Sequence, residues 1–166
     1  MANLYKMNKH TVFSIFLLLI VFVTGFFVGS YFYQKKLPQP GEEALVTQVV
    51  DGDTIVIEGG NRIRLLGINA PEKGEELYKQ AKDFLESKIL LKEVKLEKDV
   101  DEKDKYGRYL RYVWLNDTLV NAEVVREGLA IAYFFDPNTK YQYLIAKSEQ
   151  EAIENHIGIW ALEKTA

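Results

Sequence analysis

The sequence predicts an α+β protein, a five-stranded and partly open β-barrel with three helices over its ends, preceded by one N-terminal transmembrane helix. Three observations carry this. Residues 11–34 form an apolar run without a charged side chain. Beyond it, five short segments rich in Val, Ile, Thr and aromatic residues are bounded by turn residues. Between and after them, apolar residues recur at helical spacing. The whole chain is 166 residues, room for about one globular domain besides the anchor.

The elements follow in order. Residues 1–10 are a short basic start with Lys6 and Lys9. From Val12 to Tyr33 the apolar run is broken only by Ser14, Thr24, Gly25, Gly29 and Ser30. At ~1.5 Å per residue such a helix is roughly 33 Å long, enough for a hydrocarbon core of about 30 Å. Tyr31, Phe32 and Tyr33 fall where an aromatic belt is expected. The competing reading is a cleaved signal peptide, with Val28-Gly29-Ser30 as a small-residue cleavage site, which would make the protein secreted. The run is longer than the usual h-region of about 7–15 residues, which favours the anchor. The expectation is therefore a single-pass protein of the cell membrane, held through residues 11–34, with its C-terminal domain outside.

Residues 35–43 contain two lysines, two prolines, a glycine and two acids, and read as a linker to a domain spanning 44–163. Segments 45–50 and 53–58 flank Asp51-Gly52, a tight-hairpin signal, and Gly59-Gly60-Asn61 leads into a third strand over 62–68. Three sequential antiparallel strands are expected. Over 75–91 the period changes: Leu77, Tyr78, Ala81, Phe84, Leu85 and Ile89 make an amphipathic helix. Two more strands follow at 93–98 and 109–115, joined by the charged stretch 99–107. A short helix at 121–127 stops at Gly128, and a last helix over about 140–156 stops at Gly158, with Trp160 free to pack back. The count and order fit the oligonucleotide/oligosaccharide-binding (OB) barrel.

Composition removes several chemistries. Cysteine is absent, and the histidines are His10 and His156 alone. Thiolate metal sites, disulfides, cysteine nucleophiles and histidine clusters are excluded or disfavoured, so any catalysis falls to carboxylates, arginines, lysines and tyrosines. Lys6, Lys9, Lys35 and Lys36 lie in or beside the apolar run, while all 24 acids lie beyond it, leaving 17 basic against 24 acidic side chains and a net charge of −7. Nucleic-acid binders usually carry a basic patch, so such a function here has to rest on local arginines and a bound cation.

Three segments concentrate chemistry: Asp51-Gly52-Asp53-Thr54, then Arg64 through Ile68-Asn69-Ala70-Pro71-Glu72, then Asp104-Lys105-Tyr106-Gly107-Arg108. Each has a plain structural explanation. Asp51-Gly52 is what a hairpin needs, the charged run suits a solvated loop, and Arg64 alternates with Ile63 and Leu65 as an outward residue would. Together they resemble the staphylococcal nuclease-like (thermonuclease) family, in which an acidic hairpin, an Arg…Pro-Glu segment and an Asp-Lys-Tyr-Gly-Arg loop occur in this order. The likeness runs from about residue 45 to Trp160 and includes Val120-Asn121, Arg126-Glu127-Gly128-Leu129-Ala130, Pro137-Asn138 and Lys147-Ser148-Glu149.

The resemblance implies a five-stranded barrel with three helices and Ca2+-dependent cleavage of DNA and RNA that leaves a 3′-phosphate. It makes Arg64, Glu72 and Arg108 the catalytic candidates. The chemistry agrees: a phosphodiester under attack gathers negative charge that two guanidiniums grip well, and with histidine scarce a carboxylate is the available base. Asp53 is the first candidate metal ligand. By resemblance, a second carboxylate is expected at position 69 and a main-chain carbonyl at Ala70. Position 69 is Asn69, whose amide oxygen can ligate calcium with one charge fewer, so a weak site of ~10⁻⁴–10⁻³ M is expected. Lys105, Tyr106 and Tyr133 match positions that hold the substrate's terminal phosphate and neighbouring base. A further family tyrosine is Phe135 here, which keeps a stacking face and loses a hydroxyl. The loop after Glu72 is shorter than in the family's best-known member. The expected partners are DNA and RNA, acted on by a monomer. The alternative function is a non-catalytic nucleic-acid- or partner-binding scaffold on the same barrel at the membrane.

Overall fold

The strand that opens the barrel serves two neighbours. In the computed structural model, which describes residues 8, 14–15, 17–24 and 43–162, strand β1 (Glu43–Val49) pairs through Ala44 with Val94 and, after an irregularity between Val46 and Gln48, through Val49 with Ile55. This bend lets one strand belong to both halves of a closed sheet. Strands β2 (Thr54–Ile57) and β3 (Arg62–Leu65) continue antiparallel, as the hairpin signals predict. Strands β5 (Glu93–Glu97) and β6 (Tyr109–Leu115) pair antiparallel on the other side. The barrel closes where β3 meets β6 in parallel, with Arg64 opposite Leu110. The five-stranded α+β barrel is thus as expected.

The predicted third strand over 62–68 is a correction. It ends at Leu65, turns through Gly67 at φ 77°, and resumes as the two-residue strand β4 (Ile68–Asn69), which pairs with β8 (Ile131–Ala132) in a separate ribbon. A side chain at Gly67 would stand 2.6 Å from Cδ1 of Ile145, so the turn is pressed against a helix as well as left-handed. Strand β7 (Thr118–Leu119) extends the sheet beyond β6. Helix α1 (Tyr78–Ile89) begins later than the periodicity suggests, because Leu77 has a left-handed φ of 64°. Helices α2 (Val120–Arg126) and α3 (Gln142–Glu154) match the predicted segments, and a short helix α4 (Ile159–Leu162) holds Trp160.

The core is one cluster: Val46, Ile55, Ile57, Ile63, Leu65, Leu96 and Val113 from the barrel, closed by Ala81, Leu85 and Ile89 of α1 and Val124 and Ile145 of α2 and α3. Asn121 lies fully buried within it. Its Nδ2 donates to the Leu66 carbonyl at 2.8 Å and its Oδ1 accepts the Val113 N–H at 2.9 Å, satisfying one carbonyl just past β3 and one N–H within β6.

The chain divides into two compact units, Met1–Leu37 and Pro38–Ala166. In the first, residues 14–15 and 17–24 are helical, and Ile15 and residues 17–23 carry exposed apolar side chains. Much of the expected span over 11–34, and the linker up to residue 42, lie outside the described residues. Among the described residues no helix is long and apolar enough to cross a membrane.

Candidate active site

The site is assembled where the β2–β3 pair meets the barrel's parallel seam. In the hairpin before β2, Asp51 Oδ1 accepts the Asp53 N–H at 3.1 Å. Gly52 lies so close to α1 and to Ala70 that an added Cβ would stand 2.6 Å from the Ala70 Cβ and 2.7 Å from the Ala81 Cβ. This contact presses the hairpin down and carries Asp53 inward, where it is only 6% exposed. Its Oδ2 accepts the Ala70 N–H at 2.9 Å and its Oδ1 accepts the Thr54 hydroxyl at 3.0 Å.

Arg64 stands opposite Thr54 in the β2–β3 register and reaches into the same corner. Its Nη1 donates to the carbonyls of Leu65 at 2.6 Å and Ile68 at 2.8 Å, and its Nη2 to Asn69 Oδ1 at 3.1 Å. The same Nη2 lies 3.0 Å from Asp53 Oδ2. With 14% of its side chain exposed, Arg64 is far from the outward solubilising residue that strand alternation alone suggests. Burial pushes the Asp53 carboxyl up against the opposing pull of Arg64 and the Ala70 N–H. Burial likewise lowers the Arg64 guanidinium, with Asp53 raising it and nearby Arg108 lowering it further.

Arg108 enters from the other side of the parallel seam. Its Nε donates to Asp104 Oδ2 at 2.7 Å, and its Nη1 lies 3.3 Å from the Thr54 hydroxyl. Burial favours a higher Asp104 value, but hydrogen bonds from the Arg108 side chain and from the backbone N–H groups of Arg108 and Tyr106 outweigh it and hold the carboxyl below its ordinary range. The fold therefore brings Asp53, Arg64, Asn69, Ala70 and Arg108 into one bonded corner. Thr54 joins its two halves.

Other predicted residues stand differently. Glu72 is exposed and, among the described residues, its carboxylate pairs with neither arginine; its backbone N–H donates to Glu75 Oε2 at 2.7 Å. It follows Ala70 by two residues in the sequence. Lys105 Nζ lies 5.1 Å and Arg108 Cζ 5.5 Å from the ring centre of Tyr106, itself 72% exposed. Tyr133 follows β8, its N–H donating to the Gly67 carbonyl, and its ring lies 6.3 Å from that of Phe135. A cavity of about 480 Å³ lies beside Asn69, Ala70 and Pro71, walled by Ile131 and Ile159. Neither arginine lines it.

Thr54 and Asn121 lie in segments that carry the resemblance, yet the sequence assigns neither of them a role. Thr54 reads as an ordinary β-former, with no signal beyond its place after Asp53. Asn121 had one: a polar residue inside the apolar stretch Leu119-Val120-Asn121-Ala122.

For a metal, Asp53 and Asn69 bring side-chain oxygens to one guanidinium nitrogen, and Ala70 adjoins them. An all-oxygen set with one formal charge fits a hard cation held weakly. Among the described residues no group of three or more acidic or histidine side chains is assembled for a metal.

Fold and corner together define a small OB-type barrel with two guanidiniums set beside a carboxylate and an amide, an arrangement suited to an oxyanion. Comparison with known proteins agrees. The family described as Staphylococcal nuclease homologue matches residues 62–162, and the chain belongs to that family. The thermonuclease of Staphylococcus intermedius is 36% identical over 156 residues, 89% of this chain and 91% of that protein. The thermonuclease of Staphylococcus hyicus is 37% identical over 125 residues, 70% and 74% of the two chains. Endonuclease YncB of Bacillus subtilis is 35% identical over 142 residues, 77% and 64%.

Proposed function

We propose that this protein is a Ca2+-dependent endonuclease that hydrolyses phosphodiester bonds of DNA and RNA to 3′-phosphate products, acting as a monomer tethered to the membrane through residues 11–34. The observation that carries the reading is the convergence of Arg64 and Arg108 on Asp53 and Thr54 from strands far apart in sequence. Both guanidiniums are held by the fold before substrate arrives, so little reorganisation is needed as charge develops on the phosphate. They grip its non-bridging oxygens. Glu72, open to solvent, takes a proton from the attacking water; the new P–O bond forms as the bond to the 5′ oxygen breaks, the 5′ oxygen takes a proton from solvent and leaves as a hydroxyl, and the phosphate stays on the 3′ side. Lys105 and Tyr106 hold a neighbouring phosphate, and Tyr133 with Phe135 offers faces to a base. Asp53, Asn69 and the Ala70 carbonyl would hold Ca2+, which when bound supplies positive charge to the phosphate and its incoming water. The exposed apolar side chains at Ile15 and residues 17–23 support the tether; the outward-facing domain in this reading rests on the charge pattern about the apolar run.

The test uses the full chain in mild detergent with single-stranded DNA, with calcium, with chelator, and as Glu72→Gln. Cleavage that needs calcium and Glu72 and leaves 3′-phosphate ends is expected. Equal digestion in every arm defeats the reading. The acidic domain and the single-carboxylate corner favour a second reading, a non-catalytic binding scaffold, which predicts retention of DNA without cleavage. Carbonate washing that strips the protein from membranes overturns the tether alone.

A further inference from the structure

Two segments that carry exposed rings are tied together by one buried amide. Asn138 is 1% exposed. Its Oδ1 accepts the Asp101 N–H at 2.9 Å, its Nδ2 donates to Asp101 Oδ2 at 2.7 Å, and its own N–H donates to the Phe135 carbonyl at 3.0 Å. A second tie lies alongside, where Asp99 Oδ2 accepts the Lys140 N–H at 2.9 Å and the Tyr112 hydroxyl at 3.1 Å.

From Asp101 the chain rises into a hairpin closed by the bonds from Leu110 N–H to the Glu102 carbonyl and from Asp104 N–H to the Arg108 carbonyl. Tyr106 is near its tip. From Asn138 the chain runs back through Phe135 to Tyr133. Tyr106, Tyr133 and Phe135 are 72%, 53% and 37% exposed, so all three rings face solvent while the joint beneath them is sealed. A buried amide with both heteroatoms engaged by one residue of the other segment fixes distance and orientation together, and losing it leaves a buried donor and acceptor unpaired. Arg108 lies on the same hairpin but is also held from outside it, by the Thr54 hydroxyl, in addition to its bond with Asp104.

We propose that Asn138 and Asp101 are a positioning pair that sets the gap between the Tyr106 wall and the Tyr133–Phe135 wall, and thereby the grip on the bases of a single strand beside the reacting phosphate. This rests on the nuclease reading above and deepens it. The pair touches neither substrate nor the two arginines, so it governs KM and leaves kcat nearly alone.

The experiment measures steady-state cleavage of a short fluorescent single-stranded DNA, and its binding in the presence of chelator, for the full chain and three variants. Asn138→Ala is expected to raise KM and the dissociation constant about tenfold, the weakening that follows from losing roughly one base-stacking contact, with kcat within about twofold. Asp101→Ala keeps the backbone bond to Oδ1, so it gives a smaller rise and remains readable should Asn138→Ala fail to fold. The exchange Asp101→Asn with Asn138→Asp conserves charge, lets Nδ2 of residue 101 donate back to the carboxylate at 138, and restores KM. A folded Asn138→Ala or Asp101→Ala protein with unchanged KM overturns the pairing role, as does a kcat that falls in step with rising KM. Wild-type protein that neither binds nor cleaves brings down the nuclease reading, and this proposal with it.

Discussion

The arginine corner and the loop that begins at Pro71 adjoin in sequence and differ in almost every physical respect. Arg64 donates to two carbonyls, an amide oxygen and a carboxylate, and is largely buried. Glu72 has an exposed side chain, and among the described residues only its backbone is tied down, by Glu75. Groups that stabilise developing charge gain from being fixed in advance, because their dipoles then need no rearrangement at the moment of reaction. A base must meet a water that arrives with substrate, and its hydrogen bonds commonly tighten only then. The contrast separates what folding preorganises from what substrate completes.

The sharpest way to probe this contrast is Glu72→Gln. We expect kcat to fall by ~10²–10⁴, the range for losing a general base. Thermal stability should stay within about 0.5 kcal/mol, as for surface changes generally. A large drop in melting temperature would mean that Glu72 belongs to the framework after all. Arg64→Lys should lower kcat by ~10²–10³ and, unlike the first variant, also lower stability, since an ammonium cannot serve four acceptors spread across a planar fork. Paired denaturant melts and rate measurements separate the two behaviours; a folded Arg64→Lys enzyme with normal rate breaks the comparison.

Gly52→Ala acts on the corner from below. Contacts of 2.6 and 2.7 Å to Ala70 and Ala81 force the hairpin upward, with a destabilisation of about 1–3 kcal/mol expected from overpacking. A stability equal to wild type would show that the hairpin is not pressed onto α1. Thr54→Val removes the hydroxyl between Asp53 and Arg108, and activity should fall roughly tenfold, as expected for about 1.5 kcal/mol lost from hydrogen bonds to charged groups, while Thr54→Ser recovers most of it. Valine with full activity would leave the two halves of the corner independent.

The smallest effect concerns acid. Asp104 is held below its ordinary value in the folded protein, so its contribution is present above the unfolded value of about 3.9 and is lost as pH falls through the lower folded value. Melting curves of the wild type should therefore decline more steeply below about pH 4 than those of Asp104→Asn. Parallel curves would show that Asp104 does not stabilise the folded state.

Much of the fold was legible because local rules and tertiary demands agree in it. Asp51-Gly52 marks a chain reversal between β-formers, which the structure spreads over residues 50–53, and the apolar spacing of Ala81, Leu85 and Ile89 buries one helix face. The third strand was misjudged because Arg62 to Ile68 reads as continuous β-former up to a glycine, and only the close approach of Ile145 shows why the chain turns at Gly67. Arg64 was legible as a candidate through its motif and illegible in its surroundings. Alternation with Ile63 and Leu65 gives its face, yet says nothing of which elements cover that face.

The sequence by itself determined the chemical stock of this protein: oxygen and guanidinium groups without thiols, an acidic domain, and turn residues that divide it into five barrel strands and three helices. Those are properties of single residues and their near neighbours. Only the tertiary structure decided which charges meet. Arg64 and Arg108 share a corner because β3 and β6 close the barrel in parallel, and Thr54 bridges them because its strand is paired to β3. Such meetings depend on strand register and on burial, which raises the Asp53 carboxyl and lowers the Arg64 guanidinium, and neither is written in any short stretch of sequence.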